Sequence, residues 1–348
     1  MQKSSRSRAS KIMPGIIVIL TLAALLFGLI VWIGSTRLII PKRRALEQRH
    51  FDQLANPAES GMALEPFEVT TGDDKVLRGI IATRASAPGA AVTTRAMTTR
   101  LIPHGVRGQE THRGTLFILH GRGGRKEDML SVAMRFIAAD FRCIVYDARA
   151  HGKSDGTFCT FGKREVDDLA SVIAGIETKI SENGESVGPI GFFGNSLGAA
   201  VALQSLAVME HPKAVVAVSP FANLPDIVIL SGQQMIHRNV PNWLSWCCMK
   251  VGGWRAGFDP LAIIPLDAIA KSETPLFVMH GSFDGVIPIS HGREIFDASP
   301  SPAKVWREIP TGYHGNVLAE GGDDLYEEMI LFYVRNLTSP TPKLTASE

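Results

Sequence analysis

The chain has 348 residues, 45% of them hydrophobic, enough for one large domain or two smaller ones around a sizeable core. Its net charge of +2 hides an asymmetry, because residues 1–44 hold eight lysines and arginines and no acid while the remainder carries 28 basic against 34 acidic side chains. The positive charge therefore brackets one segment and is no nucleic-acid footprint, and the four cysteines, two of them adjacent, have neither zinc-knuckle nor redox-pair spacing.

After a basic tail (1–11), residues 12–34 form an apolar stretch with Thr21 as its one clearly polar side chain. At about 1.5 Å per residue it reaches about 35 Å, enough to cross a bilayer core. A cleaved signal has a shorter apolar region and a small-x-small site, which Ile33-Gly34-Ser35 does not supply. The reading is an uncleaved anchor, with Trp32 placed for an interface. Basic residues flank both ends, so the side of the membrane on which the rest lies is undetermined.

Residues 35–65 read as a stalk or linker with a short helix ending near Pro57. Pro66–Thr70 and Val76–Ile81 read as a strand pair around Gly72-Asp73-Asp74. Residues 83–114, rich in Ala, Thr, Arg and Gly and without periodicity, read as a long surface loop. From Thr115 the pattern becomes regular. Buried-type strands at 115–119, 143–146, 190–195, 214–218, 276–279 and 305–309 alternate with helical patterns around 128–139, 165–180, 197 onward, 292–298 and 325–337. Such alternation predicts a mostly parallel sheet covered by helices on both faces. Residues 221–274, with Trp243, Trp246, Trp254, Met235 and Met249, interrupt the rhythm as a helical cap or as ordinary core helices, and 338–348 read as a tail.

Three polar groups follow predicted strands directly. Ser196 is the apex of Gly194-Asn195-Ser196-Leu197-Gly198, where an apolar strand turns sharply into an alanine-rich helix. Asp284 lies in His280-Gly281-Ser282-Phe283-Asp284, and His314 in Gly312-Tyr313-His314-Gly315. Parallel sheets bind ligands beyond the carboxyl ends of their strands, so all three are expected at one edge. A serine needs a base to take its proton, and a histidine held by a carboxylate supplies one. The order Ser, Asp, His along the chain suits a sheet of this kind. Asp226, Asp259 and Asp267 are weaker candidates for the acid, since they fall in the cap region. An oxyanion would be met by the N–H of Leu197 at the helix start and by the N–H of Arg122 in His120-Gly121-Arg122-Gly123-Gly124. The Arg122 side chain is left open between a substrate anion and solvent. His120, His151 and His280 read as loop-pinning residues, and His50, His104, His112, His211, His237 and His291 as surface ones. No metal-spaced cluster and no phosphate-binding glycine fingerprint is present, so no cofactor is expected.

Taken together, these motifs and Asp147-Ala148-Arg149-Ala150-His151-Gly152-Lys153-Ser154 resemble the α/β-hydrolase superfamily over roughly residues 66–337, within it the serine aminopeptidase-like group and hydrolases with an N-terminal membrane anchor. The resemblance implies an α/β-hydrolase fold with a small helical cap, a triad of Ser196, Asp284 and His314, and an oxyanion hole from Leu197 and Arg122. One departure is Ala150, where the family usually has glycine. The reading is a membrane-anchored serine hydrolase acting on esters or thioesters of a small or lipid-like acyl substrate. Its alternatives are a peptidase on the same triad and a catalytically silent binding protein on this fold.

Overall fold

A computed structural model describes residues 6–85, 92–106, 112–210, 212–235 and 239–338. Its eight-stranded sheet comprises β1 (Met62–Thr70), β2 (Val76–Arg84), β3 (Thr115–Leu119), β4 (Arg142–Tyr146), β5 (Ile190–Asn195), β6 (Pro212–Val218), β7 (Leu276–Gly281) and β8 (Lys304–Ile309). The spatial order is β1-β2-β4-β3-β5-β6-β7-β8. The β1–β2 and β2–β4 pairs are antiparallel, and every pair from β4 to β8 is parallel.

The central strands are continuous apolar runs because both faces are covered. Successive residues go to opposite cores: Phe117, Ile144 and Phe192 to one, Ile118, Val145 and Phe193 to the other. The first core is closed by α5 (Glu165–Glu182), α6 (Leu197–Ser205) and α10 (Ile289–Ala298). The second is closed by α4 (Leu130–Ile137) and by α11 (Val317–Thr338), which is interrupted at Gly322. There Tyr333 is fully buried and donates to the Phe192 carbonyl at 2.6 Å. Cysteines 143, 159, 247 and 248 are all free thiols.

The remaining helices are α1 (Arg6–Ile39), α2 (Gln48–Ala55), α3 (Val92–Leu101), α7 (Leu224–Met235), α8 (Asn242–Ala256) and α9 (Pro265–Ile269). Residues 14–33 of α1 expose large apolar side chains, among them Leu20, Leu25 and Leu29, and mean hydropathy over the most apolar window reaches 3.0. The helix continues past Gly34 to Ile39 and packs along α8. Within 221–274, α7 packs on α8 and α8 on α1, while α9 packs on α6 as core.

Three expectations are corrected. The long surface loop at 83–114 instead contains the end of β2 and α3, whose Thr94, Met97 and Leu101 are buried. Three inward positions among polar neighbours are too few to raise a clear helical periodicity. Residues 86–91 and 107–111 lie outside the described residues. The stretch after α1 lies on the domain and does not stand off as a stalk: Arg43 donates to the Gly152 and Gly156 carbonyls, Arg44 to the Gly123 carbonyl, and His50 is buried. His50 and His291 are buried. His50 accepts from the Glu47 N–H and donates to Asp128, and His291 accepts from the Ala222 N–H. His211, His237 and the segment 339–348 also lie outside the described residues.

Candidate active site

The loops that carry chemistry leave the carboxyl ends of four parallel strands. Ser196 follows β5 directly, with φ 53° and ψ −113°. This strained turn is forced by close packing of strand and helix. A Cβ on Gly194 would lie 2.4 Å from the Ala199 nitrogen, and one on Gly198 would lie 2.3 Å from the Leu119 carbonyl oxygen of β3. Only glycines let α6 approach this closely, and the approach turns the serine side chain out of the strand end.

The acid and base loops are bound to each other. Ser282 and Phe283, after β7, donate backbone N–H groups to the carbonyls of Ile309 and Gly312, at the end of β8. Asp284 and His314 thereby meet. The Ser196 hydroxyl lies 3.0 Å from His314 Nε2, and His314 Nδ1 lies 2.8 Å from Asp284 Oδ2. The network assigns the proton to Nδ1, leaving Nε2 to accept from the serine. Asp284 Oδ1 accepts from the N–H groups of Val286 (3.0 Å) and Ile287 (2.8 Å). Burial pushes the Asp284 carboxyl up, but hydrogen bonds from His280 and His314, His314's charge and the Ile287 N–H together hold it well below the usual carboxylate range. It is the ionised partner in this pair.

On the other side of Ser196, the loop after β3 approaches so closely that a Cβ on Gly121 would touch Asn195 O and Ser196 Cβ at 3.4 Å. His120 fastens this loop by donating from Nδ1 to the Gly121 carbonyl and accepting from the Ala148 N–H at Nε2. Among the described residues, the N–H groups of Arg122 and Leu197 donate to no protein acceptor, as an oxyanion site requires.

Of the two destinations left open by the sequence, the Arg122 side chain takes the solvent-exposed one, but it is held there by protein. Its guanidinium donates to the carbonyls of Arg37 and Leu38, the latter at 2.9 Å. These are among the orphan carbonyls at the end of α1, where a cation is favoured. Arg44 adds a bond from Nε to the Gly123 carbonyl (2.8 Å), and Arg125 donates to the Arg44 carbonyl (2.9 Å). Arg43 grips the carbonyls of Gly152 and Gly156, both at 2.9 Å. The segment after the apolar helix thus braces two site loops, and only its run of arginines hints at this in the sequence.

Other side chains support the site, and of these only His280, read as pinning its loop, was expected from the sequence. Lys126, buried, pairs with Asp147 at 2.7 Å and joins the β3 and β4 loops. His280 Nε2 donates to the Ile287 carbonyl at 2.8 Å and lies 3.3 Å from Asp284, so it holds the acid's loop. Phe283 and Tyr313, each next to a triad-type residue in sequence, have rings 5.9 Å apart and are 59% and 60% exposed. Asp226 is engaged by Asn223, and Asp259 by Lys250 and the Leu261 N–H, so these two expected alternatives are occupied elsewhere. Ala150, at the usual glycine position, has φ 64°, a conformation that favours glycine.

The model of the family described as serine aminopeptidase, S33, matches residues 110–253. The Bacillus subtilis protein YqkD is 26% identical over 198 residues, 55% of this chain and 62% of its own length. The chain thus spans less than two thirds of that relative. Escherichia coli YfhR is 24% identical over 65% of this chain and 72% of its own length. Among solved structures, the Pyrococcus furiosus esterase Pf2001 superposes with a TM-score of 0.63 at 20% identity, covering 86% of this chain and 99% of the esterase. A Pyrococcus horikoshii acylaminoacyl peptidase superposes with 0.58 at 13% identity, covering 84% of this chain and 44% of the peptidase.

Proposed function

We propose that this chain, a serine-type hydrolase of the α/β-hydrolase superfamily, cleaves carboxylic ester or thioester bonds through an acyl-enzyme on Ser196. The observation that carries the reading is the unbroken hydrogen-bond chain from Ser196 through His314 to Asp284. Ser196 Oγ attacks the acyl carbonyl as His314 Nε2 takes its proton. Asp284 stabilises the imidazolium that forms, and His314 returns the proton to the leaving alcohol or thiol. The Leu197 and Arg122 N–H groups meet the oxyanion, each worth about 10²–10³ in rate. Water then releases the acyl group by the same steps in reverse roles. No cofactor enters the scheme.

The exposed rings of Phe283 and Tyr313, next in sequence to Asp284 and His314, support an apolar acyl group. A helix with about 20 outward-facing apolar residues supports an anchor that keeps the site near lipids. The family description and the peptidase neighbour favour a second reading, an aminopeptidase-like activity on the same triad.

Labelling with a fluorophosphonate probe tests the nucleophile. The wild-type chain is expected to label and Ser196→Ala to remain unlabelled at unchanged thermal stability. Equal labelling of the variant removes Ser196 from the scheme. Absence of labelling in folded wild type points to a silent binding protein. Turnover of acyl esters graded by chain length, set against aminoacyl peptides, separates the two enzymatic readings.

A further inference from the structure

Four of the chain's five tryptophans, Trp32, Trp243, Trp246 and Trp254, gather where α1 and α8 run together. On α8 the spacing 243, 246, 250, 254 places three of them on one helix face with Lys250. The indoles are 58%, 44% and 78% exposed, while Ser245, Met249, Gly252, Gly253 and Ala256 on the other side are buried. Three uncovered indoles on one face of one helix exceed the scattered apolar exposure of an ordinary surface.

The register with α1 says what covers them. The Trp243 and Phe27 rings lie 5.8 Å apart. A Cβ on Gly34 would meet Cys248 Sγ at 2.5 Å, and one on Gly252 would meet Ile39 Cγ2 at 3.2 Å. The two helices therefore advance side by side in the same direction. Arg255 fixes the register: its guanidinium stacks 3.7 Å over the Trp32 ring and bonds Ser35 Oγ (2.7 Å) and Thr36 Oγ1 (2.6 Å). If residues 14–33 fill an apolar layer of about 30 Å, Trp32 stands at its edge and Phe27 about 7–8 Å deeper. Trp243, in contact with Phe27, is carried to the same depth.

We propose that the outer face of α8 is a membrane-docking surface, seating Trp243 and Trp246 in the headgroup–acyl boundary of the leaflet through which α1 emerges. The partner is the phospholipid interface, for which amphipathic indoles are suited, with the long stem of Lys250 carrying its charge toward the headgroups. The domain then lies on the bilayer in a fixed orientation, held by α1 and by the first turns of α8. This inference rests on the reading of α1 as a membrane anchor.

The test uses the full chain reconstituted in phosphatidylcholine vesicles whose acyl chains are brominated near the glycerol end, with unbrominated vesicles as reference. With Trp32, Trp243 and Trp246 at the membrane, three tryptophans in five, more than half of the indole emission is expected to be quenched. The combined Trp243→Phe, Trp246→Phe and Trp254→Phe chain is expected to retain quenching only at Trp32. If the unaltered chain loses no more than the share of one tryptophan in five, the docking surface is overturned. A blue-shifted emission that bromine leaves untouched overturns it as well and assigns the face to a protein partner. The anchor is tested separately by Leu25→Trp in a chain whose native tryptophans are replaced by phenylalanine, position 25 being 66% exposed. Quenching there by bromines near the acyl-chain ends, with unquenched α8 indoles, removes the docking proposal alone. No quenching at position 25 removes the anchor reading beneath it.

Discussion

Gly281 and Gly312 approach so closely that a Cβ on Gly281 would lie 2.3 Å from the Gly312 carbonyl oxygen. One ends β7 and the other follows β8, and this contact sets the separation of Asp284 from His314. Gly281→Ala is expected to push the two loops apart. A misplacement of about 1 Å costs about 10²-fold in turnover. The expected outcome is a fall in kcat of this order with the cooperative unfolding transition retained, measured on a soluble ester. An unchanged kcat would show that the loops yield without moving the triad.

Asp284→Asn keeps the size of the side chain and removes its charge. The amide then meets His314 Nδ1 as a donor or a weaker acceptor, and the tautomer that leaves Nε2 free to accept is no longer favoured. The expected loss in kcat is about 10⁴-fold with KM little changed. Steady-state kinetics check it, and near-normal turnover would move the acid to another residue.

Arg122 couples the end of α1 to the loop proposed to supply an oxyanion donor. Arg122→Gln preserves the backbone N–H but loses the fork on the Arg37 and Leu38 carbonyls. Turnover is expected to drop about 10-fold, well short of the loss of a donor itself. Truncation distinguishes the anchor from the brace. Removing residues 1–34 should leave an active domain. Removing 1–44 also takes away fully buried Ile39 and the contacts of Arg43 and Arg44, and should cost about 2–5 kcal/mol. Equal thermal midpoints for the two truncations would refute the brace.

Acid sensitivity follows from two histidines beneath the site loops. Burial pushes His151 down to about 3, and the neighbouring His120, its ring 5.0 Å away, is also lowered by burial. An unfolded histidine titrates near about 6.5, so below that pH the unfolded chain binds protons that the native chain refuses. Their contribution is complete above about pH 6.5 and declines toward the folded value, by up to about 1.4 kcal/mol per pH unit for each histidine. Asp284 acts in the same direction at lower pH: its depressed value gives stability that is present above about pH 4 and is lost only below it. The urea midpoint should therefore fall between pH 6.5 and 5. In His151→Asn, which keeps a donor toward the Arg149 carbonyl, the fall should be shallower. An unchanged slope would acquit His151.

The sheet was legible from Thr115 onward because its central strands are continuous apolar runs and its helices carry an inward apolar face. Placement of Ser196, Asp284 and His314 at strand ends was legible too, since the glycines around each mark where backbone must approach backbone. Helix α3 was not, because its buried stripe of Thr94, Met97 and Leu101 is surrounded by polar residues. His50 and His291 were misjudged for a related reason. Their burial comes from partners 78 and 69 residues away, Asp128 and Ala222, which no local pattern contains.

The sequence by itself determined the order of elements, the elbow at Ser196 and the apolar span of α1, since each depends on neighbours a few residues apart. Only the tertiary structure decided that Arg122 grips the end of α1 and that α8 lines its tryptophans up beside Phe27. Those contacts join residues 85 and 216 positions apart, and such separations are decided by how helices and loops settle on a sheet already formed.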